Sequence, residues 1–106
     1  MMTLEDVATM LESTGMDLAY QHFNAEDDPQ MPFLTYQEVA SNNFSADDKT
    51  YAKFSHMYVT LWQTKKDAAA EQNLENVFDG HDIPWSKNES YLETEQIYEI
   101  TYEVEV

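Results

Sequence analysis

The chain contains no cysteine, so neither a disulfide nor a thiolate metal site braces the fold, and thiol content ties it to no redox compartment. Glycine is nearly absent as well. The two that occur, Gly15 and Gly80, fall at the ends of predicted helices and leave no loop to cradle a phosphate. No G-x-S-x-G, P-loop, H-E-x-x-H or dinucleotide fingerprint occurs. An enzyme is therefore disfavoured. Apolar residues never run long enough to cross a bilayer. The opening MMTLEDVATML carries acids where a secretory signal carries lysines, which leads to the expectation of a soluble protein that no such signal exports.

Basic residues are the third scarcity. Five Lys and Arg stand against 21 Asp and Glu, a formal net charge of -16. A phosphate backbone or an anionic membrane repels such a chain, so neither specific nucleic-acid binding nor a membrane partner is expected. Acids also aid solubility without any partner.

What is present is apolar and aromatic. With 106 residues, 42% of them hydrophobic, the chain suits a single domain over 1–106. An aromatic content of 13% sets it apart from disordered acidic polymers.

Thr3 to Gly15 places Leu4, Val7, Ala8 and Leu11 on one helical stripe, with Thr3 as cap, Asp6 three positions on and Gly15 as terminator. MDLAYQHF and FLTYQEVA read as two strands joined by a long hairpin connection through NAEDDPQMP. SNNFSADDKTYAKF, Ser41 to Phe54, reads as a polar loop that carries the rings of Phe44 and Tyr51.

From Lys53 a strand places Met57, Val59 and Leu61 on one face and Phe54, Tyr58 and Trp62 on the other. Apolar bulk on both faces predicts a central strand covered by helices on one side and by a loop or a neighbouring subunit on the other. Thr64 to Gly80 is a second predicted helix, capped by Thr64 with Asp67, and its stripe is Ala70, Leu74, Val77 and Phe78. A short strand over Ile83 to Ser86 is demoted to an edge by Pro84. The last run is the clearest: Tyr98, Ile100, Tyr102, Val104 and Val106 alternate with Glu99, Thr101, Glu103 and Glu105, and Glu95 precedes them on the acidic side. The order α-β-β-β-α-β-β predicts an α+β fold, a largely antiparallel sheet of four to five strands with both helices on one face.

Sites of chemistry are few. His22, His56 and His81 have no ligand spacing, and His56, alternating with Phe54 and Tyr58, reads as a packed or hydrogen-bonded sheet residue. Asp79 to Asp82, DGHD, reads as a helix exit. AEDDPQ lacks the alternate carboxylates and distal Glu of a calcium loop. No catalytic residue, cofactor or metal is expected.

Four stretches together, TLEDVATMLESTG, FLTYQEVASNNFSADDKTY, VTLWQTKKDAAAEQNLENVF and YEITYEVEV, resemble the phage and prophage tail terminator (tail completion, head-tail joining) proteins of long-tailed phages of Gram-positive hosts. The resemblance implies a minor structural protein of the tail or neck, present in the host cytoplasm during assembly. It implies a subunit that closes into a ring, commonly a hexamer, though it can be monomeric when isolated, caps the tail-tube protein and meets head connector proteins. On that view Phe44, Tyr51, Tyr58 and Trp62 are candidates for the subunit interface, where aromatic anchors contribute most. Glu99, Glu103 and Glu105, or Glu26, Asp27 and Asp28, are candidates to line the lumen, where negative charge lets DNA slide. The rival reading is an acidic DNA mimic that inhibits a host DNA-binding protein.

Overall fold

The computed structural model describes residues 2–24, 26–46 and 49–106, and side chains outside 40–55. Helix α1 is Leu4–Glu12. Thr3 Oγ1 accepts the Asp6 N–H at 3.1 Å while Asp6 Oδ2 accepts the Thr3 N–H at 2.9 Å, a reciprocal cap that satisfies two otherwise free amides. Gly15, at φ 81°, then turns the chain through a conformation that a side chain would strain. There follow β1 (Asp17–Tyr20), β2 (Phe33–Ala46), β3 (Lys49–Gln63), α2 (Ala68–Gly80), β4 (Trp85–Leu92) and β5 (Ile97–Glu105).

The sheet order is β1-β2-β3-β5-β4. This is the expected α+β class, with β3 central. Leu34, Leu61 and Ile100 align in a row across three strands, and the neighbouring row is Tyr36, Val59 and Tyr102. Against these rows pack Val7, Met10 and Leu11 of α1 and Ala70, Leu74 and Phe78 of α2. Each large side chain so enclosed contributes about 1.5 to 3 kcal/mol of transfer free energy. The alternation in β5 is as the sequence predicts: Ile100, Tyr102 and Val104 are buried, and the residues between them are not.

Four boundaries or pairings differ from expectation. Strands β1 and β2 run parallel, Asp17 opposite Phe33 and Tyr20 opposite Tyr36, and are not a hairpin; a connection of about a dozen residues is long enough to carry the chain back to the starting end. Helix α2 begins at Ala68, not Thr64, because the buried amide of Gln63 brackets Asp67. Its Nε2 donates to Asp67 O at 2.8 Å and its Oε1 accepts the Asp67 N–H at 3.2 Å, leaving Asp67 Oδ1 to cap Ala70 N–H at 3.1 Å. Strand β4 extends to Leu92, although it is an edge, as Pro84 indicates.

The largest correction concerns Ser41 to Phe54. Its described residues, 41–46 and 49–54, are not a loop but the outer half of a two-stranded ribbon, in which Ser41 pairs with Ser55, Asn43 with Lys53 and Ala46 with Lys49. Strand β1 pairs with β2 only over Phe33–Tyr36, and β5 pairs with β3 only over His56–Gln63. Beyond Ala40 and His56 the ribbon therefore pairs with itself alone among the described residues. Six residues of such a ribbon span about 20 Å, and the molecule measures 51 × 28 × 24 Å.

Candidate functional site

The helices cover one face of the sheet and leave the other open. On that face β2 presents Phe33, Thr35 and Gln37, β3 presents Tyr58, Thr60 and Trp62, and β5 presents Glu99, Thr101 and Glu103, paired across in register. Strict alternation puts them there: every second residue of a strand whose neighbours are in the core must point away from it. The Trp62 indole N–H donates to Thr35 Oγ1 at 3.0 Å, and the Thr60 and Thr101 hydroxyls meet at 3.4 Å. Phe23, from the β1–β2 connection, sets its ring edge on Phe33 at 5.0 Å between centroids. Phe33 in turn lies 6.4 Å from Trp62.

Three hollows run along this face. One of about 440 Å³ lies among Phe23, Phe33, Trp62, Leu92, Glu95 and Ile97. The next, of about 310 Å³, shares Thr35 and Trp62 with it and adds Tyr58, Glu99 and Thr101. The third, of about 360 Å³, shares those last three and reaches Ser86, Asn88 and Glu103. The shared walls make one trough with an aromatic floor at one end and an acidic border toward the other. Lys87 also borders it, but its Nζ is engaged by Glu71 and Glu75. The Glu103 carboxylate, hydrogen-bonded to Tyr58, raises that phenol above its ordinary range.

Of the expected interface residues, Tyr58 and Trp62 lie in the trough. Phe44 and Tyr51 lie on the ribbon, Phe44 opposite Ala52 and Tyr51 at a register shift between the Phe44 and Ser45 pairs; their side chains fall outside the described residues. Glu99, Glu103 and Glu105 occupy the open face, whereas Glu26, Asp27 and Asp28 sit on the β1–β2 connection, where Asp27 Oδ2 accepts the Asn24 N–H at 2.9 Å. The sequence reading missed Phe23, Phe33, Thr35 and Thr101 as parts of the same surface; cross-strand register, which places them together, is not written in any one segment.

Behind the sheet, a charge cluster ties α2 to the β4–β5 edge. Glu71 Oε1 accepts from Lys87 Nζ at 3.1 Å, and Glu71 Oε2 faces Lys66 Nζ at 2.7 Å as an ion pair without the angle of a hydrogen bond. Lys66 also pairs with Glu89. Lys87 Nζ and the Tyr102 hydroxyl both donate to Glu75 Oε2 at 2.7 Å. Burial alone would raise the Glu71 carboxyl, but the two ammonium groups outweigh it and hold it below its ordinary value. Burial, with the Glu75 carboxylate, pushes the Tyr102 phenol far up. These side chains fasten the fold, and of them only Lys87 also borders the trough.

The histidines make local contacts. His81 Nδ1 lies 2.9 Å from Val77 O, and His22 Nδ1 lies 3.2 Å from Phe23 O. Asp79 of the DGHD stretch accepts the Trp85 indole N–H at 3.0 Å. His56 sits at the root of the ribbon, with Glu103 and Glu105 each 3.8 Å away. Among the described residues no group of three or more His, Asp or Glu side chains is placed to hold a metal ion, and no helix is long and apolar enough to cross a membrane. No protein-family model matches this sequence, and no curated protein is significantly similar to it.

Proposed function

We propose that the chain is a structural subunit of virion morphogenesis: a ring-forming tail terminator or tail completion protein at the head-tail junction of a long-tailed phage or prophage. The observation that carries this reading is the combination of a ribbon that, among the described residues, leaves the body with both edges unpaired and a sheet face that the chain's own helices leave open. A two-stranded ribbon on its own is marginal in water, and unpaired edges invite another chain. A body with a complete core and an arm that needs company is built to assemble. Such a contact is heterologous, one surface of a subunit against a different surface of the next, and heterologous contacts generate rings when the rotation closes. The four-segment resemblance to tail terminators supplies the place of the ring, against tail-tube and head connector proteins. The acids of Glu26 to Asp28 are then candidates for the lumen.

The DNA-mimic reading rests on the net charge of -16 and needs the row Glu99, Glu103 and Glu105 on a convex outer surface. Glu99 is half-buried and, with Glu103, borders a hollow and not a convex ridge, which favours the ring. Negative-stain electron microscopy of the purified chain, alone and mixed with tail tubes, tests the proposal. Closed rings, and added density at one end of the tube, are expected. Tubes left bare, together with tight binding to a host DNA-binding protein, would replace it with the mimic.

A further inference from the structure

We infer that the ribbon arm of one copy lies in the open trough of the next copy, so that residues 41–55 and the Phe33, Tyr58, Trp62, Glu99 and Glu103 surface are the two halves of a single subunit contact. This deepens the ring reading and rests on it.

Charge is the first ground. The arm carries two lysines, Lys49 and Lys53, which balance Asp47 and Asp48, so the whole net charge of -16 resides on the rest of the chain. Of the other three lysines, Lys66 and Lys87 are engaged by glutamates behind the sheet, and Lys65 is exposed ahead of α2. The arm is net neutral, so an acid-bordered trough of another copy does not repel it, and its lysines offer Glu99 and Glu103 a partner. Apolar character is the second ground. The arm sequence contains Phe44, Tyr51 and Phe54, and the trough floor offers Phe33, Tyr58 and Trp62, rings of the kind that pair well across an interface.

Direction is the third. The arm continues β2 and β3 past the point where β5 stops pairing, at His56 opposite Glu105. Paired extended strands lead it away from the body, so the chain's own trough is behind it and a neighbour's lies ahead. A register shift between Glu38 and Ala40 places a bulge at the root, and Val39 there is exposed. Bulges bend a strand and sharpen its twist, which sets the angle at which the arm leaves.

The absence of cysteine makes the test clean. Chains carrying Asn43→Cys or Thr50→Cys on the arm are mixed with chains carrying Thr101→Cys in the trough or, as a control, Gln72→Cys on the exposed side of α2, and oxidised. Mixed disulfides of arm with trough, in clear excess over arm with helix, are expected. In parallel, Lys49→Glu with Lys53→Glu, and separately Glu99→Lys with Glu103→Lys, should each weaken assembly about tenfold or more, and mixing the two reversed chains should restore it. Rings that form without the arm-to-trough disulfide, or folded reversed chains that fail to rescue each other, overturn the docking and leave the ring reading standing. A chain that stays monomeric at every concentration and on tail tubes overturns both.

Discussion

Trp62 on the central strand gives its indole N–H to Thr35 on the neighbouring strand at 3.0 Å, and this bond fixes the largest ring of the open face before any partner arrives. A ring held in this way loses little freedom when it is covered, which is the property of a preformed receptor. The chain has one other tryptophan, Trp85, held by Asp79 and set edge-to-face against Tyr102 on the helix side. Assembly should therefore shift the emission of Trp62 toward the blue and leave that of Trp85 unchanged. Trp62→Phe removes the shift and Trp85→Phe retains it; a shift that survives Trp62→Phe would place the contact elsewhere.

Leu61 is fully buried between Leu34 and Ile100. Leu61→Ala should destabilise the fold by roughly 2 to 5 kcal/mol, the transfer term plus the cavity that remains. Urea titration measures it, and a midpoint unchanged from the parent would show that the two faces of β3 are exchanged.

Glu71 is held below its ordinary carboxyl value of 4.5 by Lys66 and Lys87. Because its folded value lies below the unfolded one, its contribution to stability is fully present above about pH 4.5 and fades as pH falls through the lowered folded value. Glu71→Gln should lower stability by about 1 to 3 kcal/mol at pH 7, a range kept modest because both lysines are partly exposed. The difference from the parent should narrow steadily below pH 4.5. A difference that stays constant with pH would mean that the packing of the side chain, and not its charge, holds α2 in place.

Phe44→Ser with Tyr51→Ser should leave the melting temperature within a few degrees of the parent and weaken assembly, since among the described residues no other strand pairs with the outer ribbon. Thermal melts and sedimentation, run on the same preparation, separate the two effects. A large loss of thermal stability would assign these rings to the core.

The elements that were legible in the sequence are those whose cause is local. Thr3 and Asp6 announce α1 because a cap is a three-residue device, and β5 announces itself because one wet face imposes strict alternation. The start of α2 was misplaced because Gln63, a residue of β3, holds Asp67, and no local rule weighs that. The parallel pairing of β1 with β2 depends on where the long connection returns the chain, which neither strand's own pattern states. The ribbon was hidden for a different reason: its run from Ser41 to Phe54 is as polar as a loop, and only the pairing of its two halves marks it as strand. Tyr58 and Trp62 were found by their alternation with Val59 and Leu61, whereas Phe33 and Thr35 joined them only through cross-strand register.

The claim that the arm drives assembly is tested most directly by native mass spectrometry of the intact chain beside a chain in which residues 42–53 are replaced by a short Asn-Gly turn. The body should fold equally well in both, because every core residue among the described side chains lies outside the replaced residues. The intact chain should give a closed ring of one defined stoichiometry and the shortened chain a monomer with a similar melting temperature. A shortened chain that still forms the same ring would contradict the account.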